Sequence, residues 1–247
     1  MRAKLLTGVT AVALLWALVQ GPAVATAQEA KDAAKASQKA VSDEVDRIQD
    51  SAQILDEIMA APDKGIPRDL LSKAHCVVII PSMKEGAFIF GAKYGKGVMT
   101  CRNSGRTGWS GPSNIQIEGG SFGLQIGGTA TDVVMLVMNQ EGARKLMQRE
   151  FTLGADAKVA AGPVGRSAEA QTDIGLDAQI LSYSRSKGAF AGLALEGATL
   201  RPDDSDNEKL YGRKVTHEEI LLGKVPPPAA AKVLENTLNK YSPAEKS

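Results

Sequence analysis

Apolar residues recur at Val41, Val45, Ile48, Ala52, Leu55 and Met59, at spacings of 4, 3, 4, 3 and 4. That period is a helical stripe, and it predicts one amphipathic helix from Gln28 to Ala61. The opposite face carries Asp43, Glu44, Asp46, Arg47, Asp50, Asp56 and Glu57, and Pro62 ends the pattern. The part through Lys39 holds alanine and lysine with almost no large apolar residue, so it is expected to fray. A short helix with proline in its first turn follows at Ile66–Leu71.

The pattern then changes period. Cys76–Ile80 is an unbroken β-branched run, the mark of a buried strand, and Val133–Met138 is a second. Between them, glycines punctuate short apolar segments. Gly86–Tyr94 and Val98–Arg102 read as strands joined around Tyr94-Gly95-Lys96-Gly97, and Asn103–Gly108 reads as a second turn. Ile115–Ile126 alternates weakly, with a bulge expected at Gly119-Gly120. Asn139 caps a helix running to about Arg149. Strands are expected near Lys158–Ala161, Ala178–Tyr183 and Phe190–Glu196. Thr216 with Glu219 forms a capping box before Ile220-Leu221-Leu222. Pro226-Pro227-Pro228 is a stiff spacer ahead of a last helix, Ala229–Asn239. A helix, many strands with one inserted helix, then C-terminal helices make an α+β fold with a glycine-rich antiparallel β core.

The first 27 residues read differently. Arg2 and Lys4 precede the apolar run Leu5–Val19, Gly21-Pro22 breaks it, and Ala25-Thr26-Ala27 forms an A-x-A site before Gln28. This is the pattern of a secretory signal peptide. The organisation expected is a leader at 1–27, a flexible Ala/Lys-rich segment at 28–39, a domain at 40–222, and a Pro-rich spacer, short helix and polar tail at 223–247. The mature protein is expected to be exported, to the periplasm or beyond, and peripheral on a membrane if it is membrane-associated at all. The two cysteines, Cys76 and Cys101, then either pair or stay as buried thiols on neighbouring strands; spacing alone does not decide.

Composition sharpens this. The 247 residues carry a net charge of +1, with 43% hydrophobic and 23% charged, which excludes wholesale disorder and a nucleic-acid binder held by a broad basic face. Aromatics at 4% leave too few for the girdles of an outer-membrane barrel.

The search for chemistry is largely negative. His75 and His217 have no partners at zinc-site spacing, and structural roles are expected for both. Ser184–Lys187 matches S-x-x-K and Ser205–Asn207 matches S-D-N. The first lies in a turn between strands, and the K-T-G that should follow is missing, so no penicillin-binding chemistry is expected. Asp203–Glu208 reads as a solvated acidic loop. No phosphate-binding glycine motif occurs, and neither a catalytic set, a metal nor a cofactor is expected.

Five ordered blocks do carry a resemblance. They are Gly108-Trp109-Ser110-Gly111-Pro112-Ser113 with Gly119–Gly127, Leu153-Gly154-Ala155-Asp156, Gly162-Pro163-Val164-Gly165, Ser182–Gly192, and Leu195-Glu196-Gly197. Over roughly Ala40–Leu222 the chain resembles the SYLF domain family, also called a yeast-type actin-binding domain, in a bacterial-type exported form. The resemblance implies a non-catalytic lipid-binding module. The export signal separates this chain from cytosolic actin, so actin is not the expected partner. An anionic lipid or membrane surface is, with an envelope protein bound through the sheet face or leading helix as the alternative.

An anionic headgroup calls for cations and free backbone N–H groups. Arg185 and Lys187 lie in one turn, and Lys84, Lys93 and Lys96 lie in or beside glycine-rich turns. If these turns share a rim of the sheet they form a local basic patch. Trp109 is the candidate aromatic at the lipid interface, with core packing as its other fate.

Overall fold

The computed structural model describes residues 23–61, 65–106, 108–165, 178–186, 189–193 and 195–243. The apolar leader run and Pro62 lie outside the described residues. The chain divides into two units, residues 1–39 and 40–247. The first contributes the start of helix α1 (Ala23–Ala60), including the alanine- and lysine-rich segment. The second holds the rest of α1 and everything after it.

Two long strands dominate the second unit. β1 (Cys76–Cys101) and β2 (Ser113–Val137) pair antiparallel from end to end, joined by a loop with a 3-10 turn at Ser104–Arg106. The turn expected at Tyr94–Gly97 is absent, as is the break expected at Gly119-Gly120. The ladder shifts instead between Ile80 and Met83 and between Ala87 and Ile89.

The two-stranded ribbon curls on itself, so the two ends of β1 meet. The Arg102 N–H donates to the His75 carbonyl at 2.7 Å, and a disulfide joins Cys76 to Cys101. Gly97 allows this closure, because a Cβ there would sit 2.2 Å from the Ile79 carbonyl oxygen. The glycines read as a turn are therefore points of close approach between the two arms.

Shorter strands extend the sheet. After helix α3 (Gln140–Leu146) come β3 (Phe151–Thr152), β4 (Val159–Ala161), β5 (Ile180–Ser186), β6 (Ala189–Gly192) and β7 (Thr199–Pro202). β7 pairs with β2 over Ile115–Glu118, and β5 pairs with it over Asp132–Val137. β4 joins β5 in parallel, the exception in an otherwise antiparallel seven-stranded sheet among the described residues. Gly162 lies under the Tyr183 ring, where a Cβ would stand 2.1 Å from the ring, which accounts for one glycine of the Gly162–Gly165 block.

Both faces of the ribbon's base are buried. Val77, Ile79, Val134 and Leu136 face one core with Ile48, Leu55 and Ile58 of α1, with α2 (Arg68–Lys73) and with α6 (Ala231–Tyr241). Val78, Ile80, Val133 and Met135 face the other, with Leu146 of α3 and Leu221 of α5 (His217–Leu221). This two-sided burial is why Cys76–Ile80 reads as an unbroken apolar run. The α1 stripe therefore packs on the sheet. Its first member, Val41, remains 38% exposed, while Glu44, expected on the charged face, is only 2% exposed.

Asn139 caps α3 as expected, and Thr216 and Glu219 form a complete capping box. The acidic segment expected to be a solvated loop is instead helix α4 (Asp204–Tyr211), capped by Asp203, with Asp206 2% exposed.

Candidate functional site

The cations named as candidate lipid contacts do not share a rim of turns. Lys84, Lys93 and Lys96 all lie within the continuous strand β1. Arg185 lies on β5, where its Nη2 meets Asp132 at 2.8 Å, and Nη1 pairs with Glu57 of α1. It ties the helix to the sheet. Lys187 lies outside the described residues. Trp109 is 4% exposed and part of the core, with the Arg102 guanidinium over its ring at 4.0 Å. It takes the core-packing alternative named for it and offers no ring to an interface in this structure.

Lys96 is occupied as well. Its Nζ lies 2.7 Å from both Asp203 and Asp206. Around Asp206 gather Arg47 at 3.4 Å and Lys209 at 2.7 Å, while Arg47 also pairs with Glu44 and donates to Asn114 Oδ1 at 2.8 Å. This cluster joins α1, β1, β2 and α4. Burial would raise the Asp206 carboxyl, but hydrogen bonds from Lys209, Lys96 and Glu44 outweigh it and hold it well below the ordinary range. Burial pushes Glu44 up to about 7 against the attraction of Arg47, with Asp206 adding to the rise. Below about pH 7 Glu44 thus keeps a proton that it shares with the ionised Asp206.

A second polar network sits under the other face. Ser113 Oγ lies 2.7 Å from His217 Nδ1, Asn207 Nδ2 donates to Ser113 Oγ at 3.0 Å, and His217 Nε2 lies 3.2 Å from the Leu146 carbonyl. Burial lowers the imidazole to about 4, so the ring is neutral, donating from Nε2 to Leu146 and accepting from Ser113 at Nδ1. The spacing is that of a nucleophile and its base. Yet Ser113 is fully buried and His217 is 4% exposed, and the space beside the ring is lined by Val78, Met99, Ile115 and Leu200. The network pins α5 and α4 to β2 and α3. Among the described residues no group of three or more His, Cys, Asp or Glu is placed to hold a metal ion.

Of the candidate cations described, Lys84 is exposed, while Lys93 is partly buried and paired with Glu85. Both sit where the ribbon leaves the sheet: Lys84 pairs in register with Ala130, and Lys93 with Gly119. Glu85 and Lys93 face each other at 3.8 Å across the neck of the curl, so the arms of β1 run side by side there. Tyr94, beside Lys93, is 45% exposed. Beyond this neck, Gly86–Ala92 and Gly119–Thr131 contain no ionisable residue and hold Phe88, Phe90 and Phe122.

The short strands flanking β2 stop on either side of the stretch, β7 at Glu118 and β5 at Asp132. Gly86, Ala92, Gly120, Thr129 and Ala130 are exposed, and a Cβ at Gly86 or Gly120 would meet nothing within 4 Å. The ladder breaks at the bend, leaving Phe88 opposite Leu124–Ile126. Motif spacing assigns Tyr94 to a turn and gives this stretch no binding role. The signal that finds them is the loss of every charge over two segments that the register then brings together.

Comparison with known proteins finds relatives named for binding or regulation. The family profile described as "Ysc84: Las17-binding protein actin regulator" matches residues 118–241, just over half of the chain. LAS seventeen-binding protein 3 of Saccharomyces cerevisiae is 37% identical over 189 residues, covering 74% of this chain and 41% of that protein. SH3 domain-containing YSC84-like protein 1 of Mus musculus is 35% identical over 184 residues, covering 73% of this chain and 53% of that protein. Protein YSC84 of Saccharomyces cerevisiae is 38% identical over 172 residues, 68% of this chain and 36% of its own length. This chain thus spans about half, or less, of the relatives it matches.

Proposed function

The chain belongs to the Ysc84 (SYLF) family, and from that premise we propose that it is a non-catalytic binding module whose target is an anionic lipid surface. The observation that carries this reading is the neck of the β1–β2 ribbon. Lys84 and Lys93 lie there with the exposed Tyr94, next to a stretch without a single charge. Cations and an amphipathic ring beside uncharged surface are what a membrane interface attracts. Each cation near an anionic surface contributes about 1 kcal/mol, and Lys93 is already paired with Glu85, so Lys84 gives weak, salt-sensitive docking that other contacts must reinforce. The leader pattern supports action outside the cytosol, on the periplasmic or outer side of an envelope. Among the described residues no helix is long and apolar enough to cross a membrane.

A second reading is binding to another protein, as the names of the yeast relatives state for those proteins. Co-sedimentation with phosphatidylcholine vesicles containing increasing phosphatidylglycerol separates the two. The lipid reading expects binding that rises with phosphatidylglycerol, and Lys84→Glu with Lys93→Glu to weaken it at unchanged melting temperature. No sedimentation at any composition moves the function to a protein partner.

A further inference from the structure

Arg185 is tied to its two carboxylates unevenly. Resting on the lipid-binding reading above, we propose that Glu57 stands in for a phosphate. The phosphate of an anionic lipid headgroup displaces it from Arg185 Nη1 and is shared with Lys84.

The register sets these groups on one face. Lys84 pairs with Ala130, and Asp132 with Arg185. Residues 130, 132, 134 and 136 alternate to the same side of β2, where Val134 and Leu136 pack against α1. Lys84, opposite Ala130, is therefore on the α1 side and is exposed. Its neighbour Glu85, with Lys93, takes the other side and leaves Lys84 uncompensated by that pair.

The guanidinium is held in advance on that face. Asp132 Oδ2 accepts from Arg185 Nε at 3.0 Å and from Nη2 at 2.8 Å, and Asp132 Oδ1 accepts from the Ser82 N–H at 2.9 Å. Ser82, with φ 49°, is the one residue other than glycine at positive φ among the described residues. Such strain persists where the surroundings enforce it, and here the strained residue supports the carboxylate that fixes Arg185. Nη1 is left facing α1, where it donates to Glu57.

The two carboxylates differ in hold. The Asp132 side chain is 17% exposed and accepts a fork of two N–H groups, whereas that of Glu57 is 45% exposed and accepts from one nitrogen. A fork is strong and specific, and an exposed single contact exchanges readily. Gln53 Nε2 donates to Glu57 Oε1 at 2.7 Å, so a displaced Glu57 keeps a partner on its own helix. A lipid phosphate offers one oxygen to Nη1 and others to Lys84, which supplies the reinforcement that Lys84 alone lacks.

The test uses the full chain with phosphatidylcholine vesicles, with and without phosphatidylglycerol. Glu57→Gln removes the competing charge and keeps the side-chain shape. It is expected to bind phosphatidylglycerol vesicles roughly threefold more tightly than the native protein, with a melting temperature no higher. Arg185→Lys keeps a cation beside Asp132 but loses the fork, and in that background Glu57→Gln is expected to gain nothing. The Arg185 Nε–H resonance of the native protein should move with dihexanoyl phosphatidylglycerol below its micelle concentration and stay in place with dihexanoyl phosphatidylcholine. That resonance needs no variant, and it decides alone where Arg185→Lys fails to fold.

An equal gain from Glu57→Gln in both backgrounds reports general charge near the membrane; it overturns the exchange and leaves the lipid reading standing. Lost stability with no gain in binding does the same. A resonance shift as large with inorganic phosphate at the same concentration identifies free phosphate as the ligand and overturns the headgroup assignment. Absence of sedimentation by both the native protein and Glu57→Gln, at any phosphatidylglycerol content, overturns the exchange and the lipid reading together.

Discussion

The base and the apex of one ribbon are built on opposite principles. At the base, Val77–Ile80 and Val133–Val137 are at most 1% exposed, packed on both faces, and the two ends of β1 are joined there by a disulfide. The ionic cluster of Glu44, Arg47, Lys96 and Asp206 anchors one side, and the neutral set of Ser113, Asn207 and His217 anchors the other. At the apex the same two strands carry no charge, have exposed flanks and lack a neighbouring strand on β2. The difference teaches where stability resides. The base is held by covalent, ionic and packing contacts, whereas the apex, Gly86–Ala92 with Gly119–Thr131, is joined to it through the β1–β2 ladder. Changes at the base should therefore cost stability, and changes at the apex should cost binding.

The largest stability effect tests the covalent part of the base. Cys76→Ser with Cys101→Ser opens a loop with a sequence separation of 25. Urea unfolding should show a loss of roughly 3–4 kcal/mol on the chain-entropy account. Vesicle partition per folded molecule should stay the same. A double variant that unfolds normally but no longer binds would mean that the apex depends on the clamp, and the division between base and apex would fail.

What was legible in the sequence follows the same division by range. The α1 stripe, the buried run at Cys76–Ile80 and the Thr216–Glu219 capping box all depend on residues within a few positions of one another, and each is found where expected. Features set by distant partners were opaque. Gly95 and Gly97 read as a turn because their actual neighbours, Ile79, Ile80 and Met83, arrive only when the ribbon curls. Asp206 read as solvated because Lys96 and Arg47 lie 110 and 159 positions away. Arg185 read as a free cation because Asp132 and Glu57 come from another strand and from α1. For the candidate site, the burial of Trp109 was not legible, since a lone tryptophan in a glycine-rich block gives no sign of which side of the sheet it takes.

The next effect probes the neutral anchor. An unfolded chain protonates His217 near 6.5, whereas the folded one holds the buried ring neutral down to about 4. Acid therefore favours unfolding, and this contribution, whole above pH 6.5, is lost as the pH falls toward 4, by up to ~3 kcal/mol. His217→Gln should be less stable at pH 7, because the Ser113 and Leu146 contacts are disturbed. Its stability should also lack this acid-side decline. Guanidinium unfolding at closely spaced pH values measures both; an unchanged decline in the variant would show that His217 is not its source.

The smallest effect, and the one that separates the two anchors, belongs to Glu44. Its carboxyl loses a proton near 4.5 in the unfolded chain and near 7 in the folded one. Between those values the folded state holds a proton that the unfolded state has released, so stability falls as the pH rises, the reverse of the His217 dependence. In the native protein the two slopes oppose each other from pH 4.5 to 6.5, and the net profile there should be shallow. Glu44→Gln keeps the neutral shape that burial favours and removes the ionisation. It should match the native protein at pH 5 and exceed it by about 2 kcal/mol at pH 8. Its profile should climb with pH through the His217 range, while that of His217→Gln descends through the Glu44 range. Two variants with parallel profiles would mean that both anchors titrate as one unit through α4, where Asp206 and Asn207 stand side by side, and the base would have to be treated as a single polar core.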